Sequence, residues 1–423
     1  MIDTPLRKFL QRKPTVGIFG AGLSGKGAAH LCEALHLSYE LCDEKKGHST
    51  TPHFQDYGIC IVSPGFSPQH PWRQQAQDNE ILCIPELDFA ATCFSNSLVA
   101  VTGTNGKTSV TEIVAQLLRE NGEKALSVGN NGTVLSEAVA SKMLPDEGTY
   151  VCEVSSFQAA SLQFLRPTYT LWTNIAPDHL NYHGSFQNYF SAKAHLLELT
   201  QKACFCGHSL QLHKADFPAP LTCDLVFAPS IDQEATWLHH FPACFSHGQQ
   251  ENFLLVRTFA QALHIPEKTL HTCLENFQQP PHRLHCCRRI GETTFWNDSK
   301  GTNLHAVQAA LESVKHLPHL CWILGGGGKG EDLSSFIQTF RAYPIQTIYL
   351  IGETGQQLAQ HASEFHASIV VAGCLENVFR QLPQQEPFSL VLSPGFTSWD
   401  QFSSFEERGQ LFEKLAQNYR YKA

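Results

Sequence analysis

Several kinds of segment are missing from this 423-residue sequence. It has no run of about 18 apolar residues, so no transmembrane helix is predicted. The first residues, MIDTPLRKFLQRKP, lack the apolar stretch of a signal peptide. Internal repeats of solenoid length and low-complexity segments are also absent. From these absences we expect a cytoplasmic protein that has no membrane partner.

An excess of positive charge is missing as well. The chain carries 30 Lys and Arg against 39 Asp and Glu, which gives a formal net charge of -9. A nucleic-acid-binding protein normally presents a basic face, so no nucleic-acid partner is predicted. Apolar residues make up 42% and charged residues 16%, as in ordinary globular proteins. At about 100–200 residues per domain, the length predicts two to four domains.

The cysteines do not form a metal-binding or disulfide pattern. There are 15 of them, an odd number, and no CxxC pair occurs. Cys204 and Cys206 are one residue apart and Cys286 and Cys287 are adjacent, and neither spacing suits tetrahedral zinc. We interpret them as reduced thiols used as small core residues, which fits a reducing compartment.

What the sequence does contain is an alternation of strands and helices in three successive units. Apolar runs such as TVGIFG (15–20), SLVAVTG (97–103) and HLCWILGG (319–326) each end in glycine and precede a helical stretch. This pattern predicts the α/β class with parallel sheets. We place the domains at 1–96, 97–280 and 281–423, with QQPPHR (278–283) as a linker. The stretch 201–250 has no clear periodicity.

A glycine-rich loop opens the second unit. Gly103-Thr104-Asn105-Gly106-Lys107-Thr108 lies between a predicted strand and a helix that Gly122 closes. Backbone N–H groups at such a helix start favour phosphate, Lys107 would reach the β- and γ-phosphates, and Thr108 would offer its hydroxyl to Mg2+. Val101 stands where the standard P-loop has its first glycine, so the alternative is a structural turn with an incidental lysine.

A second glycine pattern begins the chain. Gly20, Gly22 and Gly25 follow the first strand as GxGxxG, and Asp43 follows the second strand. This order of strand, glycine turn, helix, second strand and acidic residue is typical of a dinucleotide-binding fingerprint. Physically, the glycines only allow a diphosphate to come close to the backbone. NAD(P), FAD and a UDP-sugar all carry a diphosphate, and a purely structural turn is a further alternative. A turn at Ser63-Pro64-Gly65 ends the next strand.

Possible metal ligands follow the strands of the second unit. Glu153 ends TYVCEVS, Asp178-His179 follows TNIAP, and Lys193 lies in the next helix. Ligands of open α/β sheets bind at the carboxyl ends of the strands. Mg2+ prefers hard oxygen ligands, so His179 could equally be a hydrogen-bonding residue.

Three loops of the third unit also follow strands. They are Asn297–Asn303 (NDSKGTN), Gly325–Gly330 (GGGGKG) and Ser393–Ser398 (SPGFTS). Asp298 could be a helix N-cap, and the glycine run a flexible turn. If they bind ligands, the two lysine-bearing loops, the two phosphate-type loops and the carboxylate of Glu153 suggest several anionic substrates brought together.

Taken together, these strings resemble the Mur ligase family. The resemblance rests on VTGTNGKTS, EVSSFQ, NIAPDHLNYHG, NDSKGTN and SPGFTSWDQFSSFEERG, and it covers almost the whole chain apart from about 201–250. It is strongest with the D-glutamate-adding members, and the DNPR string of the diaminopimelate- or lysine-adding members is absent. It implies three domains and ATP-dependent joining of D-glutamate to UDP-N-acetylmuramoyl-L-alanine through an acyl phosphate, in cytoplasmic peptidoglycan precursor synthesis.

The resemblance also assigns roles to individual residues. Catalysis would involve Lys107, Glu153, His179 and Lys193, and two Mg2+ ions would be held by Thr108, Glu153, His179 and Lys193, the lysine as its carbamate. ATP would meet Gly103, Thr104, Asn105, Gly106, Lys107, Thr108, Ser109, Asn252, Arg283 and Asp298. The UDP substrate would meet Gly20, Gly22, Leu23, Ser24, Gly25, Asp43, Ser63, Pro64, Gly65, Asn130 and Gln158. D-Glutamate would meet Lys300, Thr302, Lys329, Ser398 and Phe405. We expect a monomer.

The sequence departs from the family at three places. Asn181-Tyr182 stands where relatives often have Asp-Arg, Gly301 replaces a common alanine, and Leu255 replaces a second adenine-side asparagine. Alternative functions are a sister ligase for another amino acid, an NAD(P) oxidoreductase built on residues 15–43, and a nucleotide-sugar sensor without turnover. The oxidoreductase would leave the 103–108 loop and Glu153 without a role.

Overall fold

A computed structural model describes residues 5–44, 51–67, 69–130, 132–241, 246–383 and 387–420. The α/β class is confirmed, with three sheets that are parallel except for one edge strand. The chain forms two compact units. The first comprises the described residues of 1–175, 187–237 and 251–277, and the second those of 176–186, 238–250 and 278–423. The domain boundaries at 96/97 and 280/281 stay predictions.

The first sheet has four parallel strands in the order β2-β1-β3-β4. β1 is almost wholly buried, as expected for a strand covered on both faces. Its elements are α1 (Pro5–Leu10), β1 (Thr15–Phe19), α2 (Leu23–Ala34), β2 (Tyr39–Cys42), β3 (Tyr57–Val62), α3 (Pro71–Asp78), β4 (Leu82–Pro85) and α4 (Glu86–Ala91).

The second sheet has six parallel strands in the order β10-β9-β8-β5-β7-β6. β5 is central, so the loop that follows it lies between the ends of β7 and β8. The elements are β5 (Ser97–Thr102), α5 (Lys107–Glu120), β6 (Ala125–Gly129), α6 (Leu135–Ala140), β7 (Thr149–Glu153), α7 (Ser156–Ala159), β8 (Tyr169–Trp172), α8 (Leu180–His183), α9 (Phe186–Leu199), β9 (Ala203–Cys206), β10 (Asp224–Phe227), α10 (Ala235–Leu238), α11 (His247–Ala262) and α12 (Glu267–Asn276).

The third sheet has the order β11-β12-β16-β13-β14-β15, in which β11 is antiparallel to β12. Its elements are β11 (His285–Ile290), β12 (Thr293–Asn297), α13 (Leu304–Val314), β13 (Leu320–Gly325), α14 (Leu333–Arg341), β14 (Thr347–Ile351), α15 (Gly352–Ala359), β15 (Ser368–Gly373), α16 (Leu375–Arg380), β16 (Ser389–Leu392) and α17 (Phe405–Asn418). Apolar clusters cover both faces of this sheet.

The first two sheets share one compact unit because buried polar contacts and a common apolar cluster join them. Asp88 of α4 accepts hydrogen bonds from the backbone N–H groups of Gln163, Phe164 and Leu165, at 2.6, 3.0 and 2.8 Å. Glu86 accepts one from the backbone of Ser136 at the start of α6. Because three N–H groups converge on the buried Asp88, this carboxylate fixes the loop before β8.

Most strands and helices predicted from periodicity are present. The predicted helix after TVGIFG is α2, and α5 ends with Gly122 in a left-handed conformation just beyond it, as predicted. β11 was not predicted, because HCCRRI is an edge strand of mixed burial without an apolar run. Of the 15 cysteines, those in the described residues form no disulfide and most are buried. No described helix has the length and apolarity needed to cross a bilayer.

Candidate functional site

The phosphate-type loop 103–108 is shaped by two glycines that no other residue could replace without strain. Gly103 has φ +144°, and a Cβ there would lie 1.9 Å from the hydroxyl of Thr173. Gly106 has φ +84°, and its Cβ would lie 2.4 Å from the side-chain oxygen of Asn252. The loop therefore packs tightly against the end of β8 and against α11. Asn252, predicted to bind ATP, lies beside the loop.

Hydrogen bonds from the segment after β8 hold the loop in place. Asn174 accepts from the backbone N–H groups of Thr104 and Asn105 through its carbonyl and side chain, at 3.1 and 2.9 Å. Thr173 donates to the carbonyl of Asn105 at 2.6 Å. Lys107 donates to the carbonyls of Gly103 and Thr104, so its ammonium lies over the loop. Sequence reasoning missed Thr173 and Asn174, although both stand in TNIAP directly after a strand.

Glu153 supplies an acidic group at the end of the neighbouring strand. β7 pairs with β5 so that Glu153 is opposite Val101, two residues before the loop. Its carboxylate is 4% exposed. One oxygen accepts from Asn130 at 3.2 Å, and the other, Oε2, has no hydrogen-bond partner among the described residues. A buried carboxylate oxygen without a donor is costly unless a cation meets it, so the donor set fits Mg2+.

Thr108 and Ser109 lie in the first turn of α5 and are both buried. Thr108 is therefore placed at the helix start that follows the loop, where a hydroxyl ligand for a phosphate-bound Mg2+ is expected. The described residues contain no cluster of three or more His, Cys, Asp or Glu side chains suited to a metal. Mg2+ in nucleotide sites typically uses one or two protein oxygens plus substrate phosphates, so this is compatible with the predicted site.

Lys193 is the buried cation of this site. It is 1% exposed, lies 4.8 Å from the centre of the Tyr189 ring, and donates to the carbonyl of Gly103 at 2.7 Å. Tyr189 is in turn 3.0 Å from the hydroxyl of Thr104. α9 thus brings a lysine and a tyrosine against the loop. Lys193 is placed at the loop, while its carbamylation stays a prediction.

Most of the residues predicted for the UDP substrate follow the carboxyl ends of β1, β2 and β3. Gly20 has φ +104°, and a Cβ at Gly25 would lie 1.7 Å from the carbonyl of Gly20, so the helix start packs directly on the turn. Asp43 accepts from the backbone of Ala21 at 2.7 Å, and Ser63 lies against Gly20. Asp43 therefore shapes the loop. Leu23 and Ser24 begin α2, whose N-cap Gly22 provides no side-chain cap.

Other predicted substrate residues have structural partners in the same unit. Gln158 forms a capping box with Ser155, accepting from its N–H at 2.9 Å and from its hydroxyl at 2.8 Å. Asn130 lies beside Glu153. A Cβ atom added at Gly65, next to Pro64, would meet no other atom, so this position faces open space. Asn130 and Gln158 are both on the second sheet, at the ends of β6 and β7.

Asp298 follows β12 in the second compact unit and is buried. Its carboxylate accepts from the hydroxyl of Ser393 at 2.6 Å. Burial raises the pKa of Asp298 to about 7, although Ser393, the charge of Arg283, the backbone N–H of Leu284 and the charge of Arg408 act in the opposite direction. The N-cap alternative is wrong, because Asn303 caps α13. A Cβ at Gly301 would lie 2.5 Å from the Asp298 carboxylate and 2.7 Å from the Ser393 hydroxyl, so the loop packs closely on both side chains.

The residues predicted for D-glutamate are partly brought together. The ammonium of Lys300 lies 4.1 Å from the centre of the Phe405 ring. Ser398 is buried in the loop after β16, and Thr302 is half-buried in the loop after β12. Arg408 of α17, which the sequence reasoning missed, links these loops. It donates to the hydroxyl and carbonyl of Ser299 and to the carbonyls of Phe396 and Thr397, at 3.0, 2.8, 3.2 and 3.0 Å.

The glycine run after β13 is a packing element. Gly327 and Thr397 form a two-way backbone bridge, with both N–H···O distances at 3.0 Å. A Cβ at Gly326 would lie 2.2 Å from the carbonyl of Thr397. The glycines thus let one loop approach another, which rules out an unconstrained flexible turn at Gly326 and Gly327.

Lys329 ends this run and pairs with a carboxylate that we had considered as a metal ligand. Its ammonium lies 2.9 Å from Asp178, and the two side chains are 10% and 9% exposed. Asn303 also donates to Asp178, at 3.1 Å. Burial would raise the pKa of Asp178, but Lys329, His179 and Asn303 outweigh it and the pKa lies below its usual value. His179 has φ +53° and is the N-cap residue of α8. It belongs to the second compact unit. Its metal ligation stays a prediction.

Comparison with known proteins places this arrangement in one family. Residues 101–253 match the Mur ligase middle domain, and residues 282–395 match the Mur ligase glutamate ligase domain. A UDP-N-acetylmuramoylalanine–D-glutamate ligase of Leuconostoc mesenteroides is 31% identical over 384 residues, which span 84% of this chain and 82% of that protein. The chain belongs to the Mur ligase family. It is therefore an ATP-dependent ligase, and the oxidoreductase alternative is wrong.

Further relatives and solved structures agree. A ligase of the same name from Desulfitobacterium hafniense is 28% identical and spans 96% of this chain and 98% of its own length. The UDP-N-acetylmuramate–alanine ligase of Thermotoga maritima superposes with a TM-score of 0.60 at 14% identity, over 96% of this chain and 100% of that one. The MurF ligase of the same organism, solved with ADP, gives 0.59 at 14% identity, over 96% and 95%. These two structures confirm the Mur ligase fold.

Proposed function

We propose that this Mur ligase joins D-glutamate to UDP-N-acetylmuramoyl-L-alanine, with ATP as the activating substrate. The observation that carries the proposal is the loop 103–108, held by Thr173 and Asn174 beside a buried carboxylate, in a chain whose relatives are named for this reaction. We place the reaction in the cytoplasm, as a step of peptidoglycan precursor synthesis, and we propose that the enzyme is a monomer.

A carboxylate is a poor electrophile in water, so amide formation needs activation. We propose transfer of the γ-phosphoryl group of ATP to the alanyl carboxylate, which gives an acyl phosphate and ADP. The amine of D-glutamate then attacks the carbonyl carbon, the amide bond forms, and inorganic phosphate leaves. Lys107, at the start of α5, would stabilise negative charge on the transferring group. The backbone N–H groups of the loop would hold the phosphates.

Mg2+ would be held by Thr108 and by Glu153, whose orphaned oxygen is the structural reason for placing a cation there. When bound, the metal supplies Lewis-acid neutralisation of phosphate charge. We propose a second Mg2+ at His179 and at Lys193, the latter as its carbamate. Asn252, Arg283 and Asp298 complete the proposed ATP site.

The other two substrates have separate sites in the proposal. The UDP moiety would lie at the ends of β1 to β3, where the N-cap Gly22 gives the first turn of α2 no side-chain cap. Asn130 and Gln158 would meet the muramoyl-alanine part. D-Glutamate would meet Lys300, Thr302, Lys329 and Ser398, which lie on three loops of the third sheet, and Phe405, which begins α17.

The proposal is tested by release of inorganic phosphate from MgATP. We expect release only when UDP-N-acetylmuramoyl-L-alanine and D-glutamate are both present. Lys107→Met should lose it at least 100-fold, whereas Lys124→Met, an exposed lysine of the same unit, should keep it. A panel of amino acids separates the D-glutamate ligase from its sister enzymes, and transfer of 18O from the alanyl carboxylate to phosphate tests the acyl phosphate.

A further inference from the structure

The buried ion pair of Asp178 and Lys329 lies in the wall of a cavity. The cavity measures about 320 Å3, within the range of small-molecule sites. Besides this pair, Asn303, His305 and Phe336 contribute to its lining. Of the residues assigned to D-glutamate, only Lys329 lines it. The cavity is therefore adjacent to one end of the proposed amino-acid site.

The pair is held in position from both sides. Asn303 caps α13 with its carbonyl oxygen and donates its amide to Asp178, so the carboxylate is anchored to a helix start. On the other side, Glu331 accepts from the backbone N–H of Lys329 at 2.6 Å and fixes the turn that carries the lysine. A buried, preorganised ion pair costs desolvation free energy, which suggests a use beyond stability.

The chemistry of an α-amino acid matches this pair. At neutral pH its head group carries a carboxylate and an ammonium on one carbon, the same two charges as Asp178 and Lys329 with the order reversed. If the zwitterion enters between them, one ion pair is replaced by two, and no charge is left buried without a partner. The 2.9 Å contact must open for this to happen.

We propose that Asp178 and Lys329 together read the head group of the incoming amino acid: Lys329 takes its α-carboxylate and Asp178 takes its ammonium. This inference rests on the proposed function, which assigns only Lys329 to the amino acid. It adds Asp178 as a specificity-determining residue. The pairing also accounts for the burial of both charges, since each neutralises the other.

The test compares D-glutamate with D-2-hydroxyglutarate, which keeps both carboxylates but lacks the ammonium. In the wild-type enzyme we expect the inhibition constant of the hydroxy acid to exceed the KM of D-glutamate at least 10-fold. Asp178→Asn should raise the KM at least 10-fold and bring the ratio near 1. Lys329→Gln should weaken both ligands alike, because both carry the carboxylate. Asp332→Asn, which removes a carboxylate elsewhere in the cavity lining and keeps a side chain that can cap α14, should keep the wild-type ratio.

The outcomes are separable. An unchanged ratio in Asp178→Asn overturns the inference even if turnover falls, because general damage affects both ligands equally. Asp178→Glu, which restores the charge, should restore discrimination if the protein remains folded by circular dichroism. If the wild-type enzyme uses another amino acid, the proposed function fails, and the same ratio is measured with that acid and its hydroxy analogue. If no amino acid stimulates phosphate release, both proposals fail.

Discussion

At the scale of single residues, the site contains buried carboxyl groups that lower the stability of the fold. Ligand binding explains why they are there. Glu153 is buried with one oxygen lacking a hydrogen-bond partner among the described residues. Asp298 is buried beside a hydroxyl and near two guanidinium groups. Such groups are tolerated where they bind charge, because a site optimised for function is rarely optimised for stability.

Glu153→Gln is expected to separate these two roles. A neutral amide is cheaper to bury than a carboxylate, so the ligand-free variant should gain roughly 1 kcal/mol of unfolding free energy. The same change should remove the Mg2+-dependent part of nucleotide binding measured by calorimetry. Glu112→Gln, at an exposed carboxylate of α5, should change neither quantity. A less stable Glu153→Gln with unaltered Mg2+ dependence would remove Glu153 from the metal site.

Asp298 gives a prediction about pH. Because its folded pKa of about 7 lies above the 3.8 of an unperturbed aspartate, the folded state binds more protons than the unfolded state between these values. Stability should therefore fall as pH rises from about 4 to 7, by at most roughly 4 kcal/mol. Denaturant unfolding at pH 5 and 7.5 should show this loss in the wild type and a smaller one in Asp298→Asn. Equal losses in both proteins would refute the assignment.

At this scale the sequence predicts some residues and not others. Lys107, Thr108 and Glu153 are predictable because they follow strands directly, and parallel strands end at one edge of the sheet. The pairing of Asp178 with Lys329 is not, since 151 positions separate them and neither lies in a motif with the other. The capping box that Gln158 forms with Ser155 at the start of α7 was not predicted either, and the contact of Gln158 with the substrate stays a prediction.

At the scale of elements, α17 stabilises the loops of the third sheet through one side chain. Arg408 is 1% exposed and donates to backbone of the loops after β12 and β16. Burial lowers its pKa to about 10, against the charges of Asp400 and Asp298, so it remains a cation at neutral pH. The helix therefore positions two loops that carry proposed substrate residues.

Arg408→Met is expected to lose about 2–4 kcal/mol, because it leaves several buried acceptors without donors. The KM for D-glutamate should rise more than the KM for ATP, since Ser299 and Thr397 adjoin the proposed amino-acid site. Arg408→Lys should recover part of both. Arg380→Met, at an exposed arginine of α16 that donates to Asn377, is the control and should stay within about 0.5 kcal/mol. A stable Arg408→Met with an unchanged KM would contradict the role of α17.

Long helices and buried strands could be predicted from the sequence more readily than edge strands and irregular segments. Long amphipathic helices such as α5 and buried strands such as β13 follow from periodicity. β11 could not be predicted, because its pattern of half-buried and exposed residues is set by pairing with β12, not by its own composition. The same holds for the 3-10 segment His208–Asp216, whose only buried residue is Leu210.

At the scale of the whole molecule, the three sheets fall into two compact units, each with its own apolar core. The three segments of alternating strands and helices in the sequence predicted the three sheets. The sequence could not show that the first two share one unit. That follows from long-range contacts such as Asp88 with Gln163, Phe164 and Leu165.

Unfolding should report this organisation. Asp88→Ala removes the acceptor of three backbone N–H groups and should destabilise the first unit by about 2–4 kcal/mol. Hydrogen exchange should show faster opening in both the first and second sheets and little change in the third. Asp78→Ala, at an exposed carboxylate of α3, is the control. Opening confined to the first sheet would contradict the single unit.

The central claim is tested most directly by the product itself. The purified protein is incubated with MgATP, UDP-N-acetylmuramoyl-L-alanine and D-glutamate, and the mixture is analysed by mass spectrometry and for phosphate. The account predicts one amide-linked product with the mass of both substrates minus water, and one ADP and one phosphate per amide. ATP turnover without that product, or the same product without ATP, would contradict it.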